Sequence, residues 1–265
     1  MKRLAAVLGW PISHSRSPAM HDAAFAACGL DAVMLPLAVR PERLDDAVRG
    51  LAAIDALGAS VTVPHKEAVA GCCAALDPSA RAVGAVNCLA FVDGRAIGHN
   101  TDAGGFVDGL RAAGHAPIAR AVVLGGGGAA RAVVVGLEQL GAEVVVVARR
   151  PDAVTWRAAR PWTQLPALLA TAGLVVDATS AALDPAADDA LAAAVPLAAL
   201  PADAVVATLI YHRATALLAA ARARGHAVVD GRGMLLYQAT RAFTLWTGRA
   251  APVDVMAAAL AASLG

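Results

Sequence analysis

The sequence predicts an α/β protein of two domains, and three observations carry that prediction. Apolar runs of strand length alternate with stretches of helical spacing for most of the chain. Many of those strands are apolar throughout, as expected of parallel sheets covered on both faces. The two α/β stretches also differ, with no internal repeat, and the more regular one begins only at Ala121.

In chain order, "LAAVLG", "VMLPLAV" and "ASVTV" are strands, separated by helices at 18–29 and 41–53. "EAVAGCCAAL" is expected to be a further helix. "AVNCLAF" and "RAIGHN" form a hairpin around Asp93-Gly94, a dipeptide suited to a tight turn. The helix in "AGGFVDGLRAAG" stops at Gly114, and "HAPIAR" is a linker. Then come the strand "AVVLG", a glycine-rich turn, the helix "AARAVVVGLEQLG" and the strand "EVVVVA". Strands recur at "GLVVDAT", "DAVVATLI" and "HAVVD". The Ala- and Pro-rich stretches 151–170 and 181–203 hold helices whose limits the pattern does not fix. Two helices close the chain, in "GMLLYQATRAFTLWTG" and "VDVMAAALAASL". The expected domains are 1–102 with 236–265, and 103–235.

Composition excludes several function classes. The formal net charge of the 265 residues is +1, so no whole-chain field draws nucleic acid or an anionic membrane. No apolar run reaches the ~20 residues that span a bilayer. "RLAAVLGW" runs at once into Pro11 and a polar turn, unlike a signal peptide. The cysteines, Cys28, Cys72, Cys73 and Cys88, lack C-x-x-C spacing; reduced thiols, no metal and a cytoplasmic location are expected. Of the 22 basic residues only Lys2 and Lys66 are lysines, and Asn87 and Asn100 are the only asparagines. In so Arg-rich a chain a retained lysine draws notice, because lysine can give up its proton where arginine cannot.

The turn Gly125-Gly126-Gly127-Gly128-Ala129-Ala130 fits G-x-G-x-x-A. It follows a strand and opens a helix, and a second strand comes after, the context a dinucleotide fold requires. Gly125 permits the tight turn and Gly127 lets the backbone approach a pyrophosphate. Ala130 lets the helix pack closely, and the helix N-terminus offers free N–H groups. The second strand ends in Ala148-Arg149-Arg150 rather than in an acid. Two guanidinium groups suit a 2′-phosphate, so NADP is expected. Asp152 keeps NAD possible.

The remaining polar residues cluster upstream. "SHSRSP" puts three hydroxyls on alternate residues between a strand and a helix. On that stretch alone, capping of the helix is the simpler reading. Thr62, Lys66, Asn87, Asn100, Thr101 and Asp102 then follow, mostly at predicted strand ends. Ligands of open α/β sheets bind at such ends. One lysine, one carboxylate and several hydroxyl and amide groups suit a small polyhydroxylated acid. Lys66 and Asp102 could share proton transfer. The local alternatives are a strand residue at Thr62, a turn former at Asn87 and a helix N-cap at Asp102.

"PISHSRSP", "SVTVPHK", "GAVN", "NTD", "GGGGAAR" and "GRGMLLYQA", in that order, resemble the shikimate dehydrogenase family, which includes quinate/shikimate dehydrogenases. The resemblance runs from about residue 7 to residue 256. It implies an N-terminal substrate domain and an NADP-binding Rossmann domain facing each other across a cleft, with the C-terminal helices returning to the first domain. It implies NADP-dependent interconversion of 3-dehydroshikimate and shikimate. Ser15 and Ser17 would hold the substrate carboxylate, while Ser13 and Pro18 serve turn and cap. Thr62, Asn87, Asp102 and Gln238 would bind ring hydroxyls, and Lys66 would be the catalytic acid/base. Tyr211, in "LIYHRAT", would contact substrate. Thr179 and Gly231 would join the glycine-rich turn, Arg149 and Arg150 at the cofactor. The expected partners are a small-molecule substrate, with no nucleic acid and no membrane, in a monomer or homodimer.

The chain departs from the family at five places, one of them a Tyr211-to-Thr215 spacing that is one residue short. Ser60 stands where Asn usually precedes Val-Thr, and His99 precedes "NTD". Asp177 replaces the Asn of an "NAT" segment, and Thr208 stands where Asp is common. The alternatives are a paralogue acting on quinate or an amino-substituted analogue, and a catalytically silent cofactor-binding regulator. Quinate-preferring members tend to carry Thr at the second carboxylate-binding hydroxyl, so Ser17 leans towards shikimate.

Overall fold

A computed structural model describes residues 2–265. The first half holds β1 (Arg3–Gly9), α1 (Ser17–Ala27), β2 (Ala32–Ala38), α2 (Leu44–Ala53), β3 (Gly58–Val61) and β4 (Ala75–Leu76). Then come α3 (Pro78–Val83), β5 (Cys88–Val92), β6 (Arg95–His99) and α4 (Asp102–Ala112). The second half holds β7 (Arg120–Leu124), α5 (Gly128–Gln139), β8 (Glu143–Ala148), β9 (Arg160–Pro161), α6 (Leu165–Leu169) and β10 (Leu174–Asp177). It continues with α7 (Pro185–Ala194), β11 (Val205–Thr208), α8 (Ala216–Ala223) and β12 (Ala227–Val229). The chain closes with α9 (Arg232–Thr247) and α10 (Val253–Leu264). Among the described residues no helix is long and apolar enough to cross a membrane.

The chain divides into two compact units. The first joins residues 1–105 to Leu236–Gly265, and the second is Phe106–Leu235. The boundaries fall inside α4 and α9.

The first unit is built on a six-stranded sheet of order β2-β1-β3-β5-β6-β4. It is parallel except for β5, which runs antiparallel to β3 and β6. The reversal follows from the hairpin at Asp93-Gly94, where both residues have positive φ (50° and 68°). Ala6, Leu8, Val61 and Leu89 form its core with Val48 and Leu51 of α2. The last helices belong here: α10 packs on α1, and Trp246 of α9 donates from Nε1 to the Leu89 carbonyl at 3.0 Å.

The second unit is a parallel sheet of order β12-β11-β10-β7-β8-β9. Its strands alternate between two cores, which explains why they read as apolar throughout. Val123, Val146 and Val176 meet Ala130, Val133 and Leu137 of α5 on one face. Val122, Val147, Val175 and Val206 meet Leu165, Leu191 and Leu217 on the other. Each such Val or Leu side chain contributes roughly 1.5–3 kcal/mol of hydrophobic burial. The chain moves outward one way from β7 through β8 to β9, and the other way through β10, β11 and β12. The strand order therefore reverses between β7 and β10, the switch point where dinucleotides bind.

One expected element is different. "EAVAGCCAAL" is not an α-helix: a 3₁₀ turn spans Ala68–Cys72, and Ala75–Leu76 is β4, pairing with Ile97 and Gly98 of β6. Gly71 weakens a helix there, and the sheet edge offers the backbone a better partner. The next helix, α3, starts later, where the Asp77 carboxylate accepts from the Ser79 N–H at 2.9 Å and Pro78 fits the first turn. The strand β9 is too short and too Pro-rich to show in the pattern.

Candidate functional site

The polar residues singled out in the first unit gather at one edge of its sheet. Gly9 ends β1 and leads to the serines, and Val61 ends β3 and leads to Thr62 and Lys66. His99 ends β6 and leads to Asn100, Thr101 and Asp102. Because β5 is antiparallel, its start lies at that same edge. Asn87 sits there, its carbonyl accepting from the Val61 N–H at 2.8 Å.

These side chains hold one another. Asn87 Oδ1 accepts from the Thr101 N–H at 2.7 Å, and Asn87 Nδ2 donates to Thr101 Oγ1 at 2.9 Å. Asn100 Oδ1 accepts from the N–H groups of Asp102 and Ala103 at 3.1 and 3.3 Å, and its Nδ2 donates to the Ala85 carbonyl. Asn100, not Asp102, therefore caps α4, and Asp102 is the first helical residue. This frees the Asp102 carboxylate, whose Oδ2 accepts from Lys66 Nζ at 2.7 Å. The Asp102 side chain is 8% exposed and Lys66 is 29% exposed, so the pair is sheltered yet open to a ligand and to water. Both asparagines of an asparagine-poor chain are thus held by hydrogen bonds beside its one lysine of interest, with Nδ2 donor capacity left over.

Ser17 is buried and begins α1, while Ser15 is half-buried and Ser13 exposed. The α1 N-cap is Arg16, with no side-chain cap bond. Ser15 Oγ accepts from the Ser17 N–H at 3.3 Å, a local turn bond. The capping reading of the three serines therefore fails at the N-cap itself, and the Ser13 and Ser17 hydroxyls carry no such bond. Thr62 is half-buried. Gln238, on α9, is buried where the chain passes Gly105 of α4; a Cβ on Gly105 would lie 2.5 Å from the Gln238 backbone nitrogen. Glycine there lets α9 approach closely. Below Ser17 on α1, His21 is fully buried with neither ring nitrogen partnered, its ring 4.9 Å from that of Trp246. Burial holds its pKa down to about 3, so this is a neutral packing imidazole. His99 lies 3.7 Å from Asp77; burial lowers its pKa and Asp77 opposes that.

In the second unit the loops after β7, β8 and β10 carry the expected cofactor residues. Gly125 has φ 109°, and a Cβ there would lie 2.9 Å from the Ala178 carbonyl oxygen, so glycine is required where these two loops meet. Nothing lies within 4 Å of a Cβ on Gly127, which is the N-cap of α5, so ligand backbone approach is unobstructed. Gly126, Gly128 and Ala129 complete the turn, and Ala130 is fully buried against the strand. This cradle fits a dinucleotide: a left-handed glycine turn, open space, and the N-terminal amides of a twelve-residue helix. Arg149 and Arg150 are exposed at the end of β8 and form no ion pair among the described residues.

Thr179 follows β10. Its N–H and Oγ1 both donate to Asp177 Oδ1, at 2.9 and 2.7 Å. Asp177 is buried, and its Oδ2 has no partner. Burial, then the Asp188 carboxylate, push its pKa up against the pull of the Thr179 donors. Tyr211 is half-buried, its ring 5.5 Å from that of His212, and Gly231 donates its N–H to the Ile210 carbonyl at 2.9 Å. The positioning roles of Asn100 and Thr101 were missed by sequence reasoning, although the scarcity of asparagine was a usable signal.

Two family models match the chain. One describes a shikimate dehydrogenase substrate binding domain and covers residues 7–89; the other describes a shikimate 5'-dehydrogenase C-terminal domain and covers residues 231–261. A shikimate dehydrogenase (NADP(+)) of Gluconobacter oxydans is 43% identical over 258 residues, 93% of this chain and 90% of its own. Shikimate 5-dehydrogenase of Thermus thermophilus, solved in complex with NADP(H) and shikimate, superposes with a TM-score of 0.87 at 34% identity, covering 98% of this chain and 99% of that one. Quinate dehydrogenase of Corynebacterium glutamicum, solved with NAD, gives a TM-score of 0.87 at 28% identity, covering 99% of this chain and 100% of that one.

Proposed function

The chain belongs to the shikimate dehydrogenase family, and on that premise we propose how its own residues carry out the NADP-dependent interconversion of 3-dehydroshikimate and shikimate. The observation that carries the proposal is the Lys66–Asp102 pair, 2.7 Å apart at the edge of the first sheet.

Ser15 and Ser17 hold the substrate carboxylate through their hydroxyls. Thr62, Asn87, Asp102 and Gln238 bind the ring hydroxyls, and Tyr211 is a further substrate contact. Residues 125–130, Arg149, Arg150, Thr179 and Gly231 hold NADP(H), which when bound supplies the hydride in reduction or accepts it in oxidation. In reduction, the C3 carbonyl oxygen gains negative charge, and protonated Lys66 gives it a proton from Nζ. Asp102 keeps Nζ in place and orients the hydroxyl that forms. The partly exposed Lys66 then regains a proton from solvent. In oxidation Lys66 takes the hydroxyl proton instead. Four cysteines without a disulfide support a reducing compartment, the cytoplasm.

The test is absorbance of reduced nicotinamide on adding shikimate or quinate, each with NADP+ and with NAD+. Shikimate with NADP+ is expected to give the highest kcat/KM. Turnover of quinate alone would move the substrate assignment, and no turnover of either would favour a silent binding protein.

A further inference from the structure

The loop from β8 to β9 folds back over the glycine-rich turn. Trp156 Nε1 donates to the Gly126 carbonyl at 2.8 Å, and Val154 Cγ2 occupies the place a Gly126 side chain would take. Two residues of α5, seven apart and so on one face, meet this loop. The Arg131 guanidinium lies over the Trp156 ring, 5.7 Å from its centroid, and Glu138 pairs with Arg157. The loop is thereby fixed to α5 at both ends of that face.

Arg131 is oddly placed for a structural cation. It sits in the first turn of α5, where the helix dipole disfavours positive charge, and among the described residues it has no carboxylate partner. Its neighbour Arg157 has one. The guanidinium carbon lies over the tryptophan ring, and among the described residues no hydrogen bond engages the guanidinium N–H groups. The ring belongs to the loop that leaves Arg149 and Arg150, the place where the adenosine ribose is read in this fold. Resting on the reading of this turn as the cofactor site, we propose that Arg131, steadied by Trp156, binds the adenosine 2′-phosphate and selects NADP over NAD.

Trp156 is then a positioning residue, acting through Arg131 and Gly126. The proposal differs from a pyrophosphate role, which both cofactors would share, and from a merely structural stack, which would affect neither ligand selectively.

The experiment is calorimetric titration of the chain, without substrate, with NADP+, NAD+ and 2′,5′-ADP. Arg131→Ala is expected to weaken NADP+ and 2′,5′-ADP about ten- to a hundredfold, the loss for one charge-assisted hydrogen bond. NAD+ affinity and melting temperature should hold. Arg131→Lys keeps charge but loses the planar fork and should fall between. Trp156→Leu should lower NADP+ affinity less than Arg131→Ala does. Equal losses for NADP+ and NAD+, or no loss at all, overturn the proposal. If Arg131→Ala does not fold, Arg131→Lys with unchanged selectivity overturns it equally. A wild-type chain that binds neither NADP+ nor 2′,5′-ADP overturns instead the cofactor reading beneath it.

Discussion

The two units treat their polar groups in opposite ways. In the first, Asn87, Thr101, Asn100, Asp102 and Lys66 satisfy one another through bonds of 2.7–3.3 Å. In the second, Arg149 and Arg150 stand exposed, without acidic partners among the described residues, and the glycine turn offers backbone rather than side chains. The difference matches what each must hold. A small ring with hydroxyls at fixed positions needs donors and acceptors set before it arrives. A long flexible cofactor needs charge and open backbone amides at its phosphates, and these tolerate motion. Losses in the first unit should therefore appear in chemistry and substrate binding, and losses in the second in cofactor binding or stability.

The sharpest break is at Lys66. Lys66→Arg preserves charge and can still pair with Asp102, so the fold should persist. Arginine does not give up its proton near neutral pH, so kcat should fall by ~10²-fold or more. Steady-state rates with saturating shikimate and NADP+ measure this. An unchanged kcat removes Lys66 from proton transfer and makes the pair with Asp102 purely structural.

A smaller effect is expected at the serines. If the Ser17 hydroxyl binds the substrate carboxylate, it contributes roughly 1.5–3 kcal/mol, the range for a hydrogen bond to a charged group. Ser17→Ala should then raise the shikimate KM about ten- to a hundredfold, with NADP+ affinity unchanged. Ser15→Ala should raise KM as well, and also cost some stability, because Ser15 Oγ accepts from the Ser17 N–H. Exposed Ser13 is the control. Three variants that lose stability without change in KM would return these hydroxyls to a purely local role.

The sequence carried the main strands, glycine turn and α5 of the second unit, because β-strands buried on both faces and a glycine turn leave local marks, but not β9 or the limits of α6 and α7. The first unit was legible by motif more than by pattern. Its antiparallel β5 showed only through the Asp93-Gly94 turn, and the 68–76 segment was misread because its apolar spacing suits a helix while its pairing with β6 is long-range. Lys66 and Asp102 could be chosen from residue scarcity and type. That Asn100 caps α4 and so leaves Asp102 free could not, since "NTD" sets three cap-forming residues in a row. The Arg131–Trp156 stack joins residues whose contact depends on where the β8–β9 loop folds, which no local spacing encodes.

The smallest expected effect lies at Asp177, where the chain carries an acid in place of the family's Asn. Its Oδ1 serves Thr179 well, but its Oδ2 is buried without a partner, and Asp188 Oδ1 is also buried and unpartnered. Burial first, and Asp188 second, raise the Asp177 pKa above the 3.8 of the free group. A carboxyl whose folded pKa exceeds its unfolded value binds its proton more tightly in the folded state. Its contribution is fully present below pH 3.8 and is lost as pH rises through the folded value. Above its folded pKa the wild type carries the cost of an ionised, half-partnered buried carboxylate. Asp177→Asn keeps an acceptor for Thr179, removes the charge facing Asp188 and puts a donor where Oδ2 stands. The variant should gain about 1 kcal/mol at pH 7, or roughly 2–4 °C in melting temperature. The gain should shrink as pH falls through the folded pKa of Asp177, where the wild-type carboxyl takes up its proton. NADP+ affinity should change little, because Thr179 keeps its anchor. Melting curves of both proteins from pH 4 to 8 decide it: a variant less stable at pH 7, or a difference that does not vary with pH, shows that Asp177 is better paired than its geometry indicates.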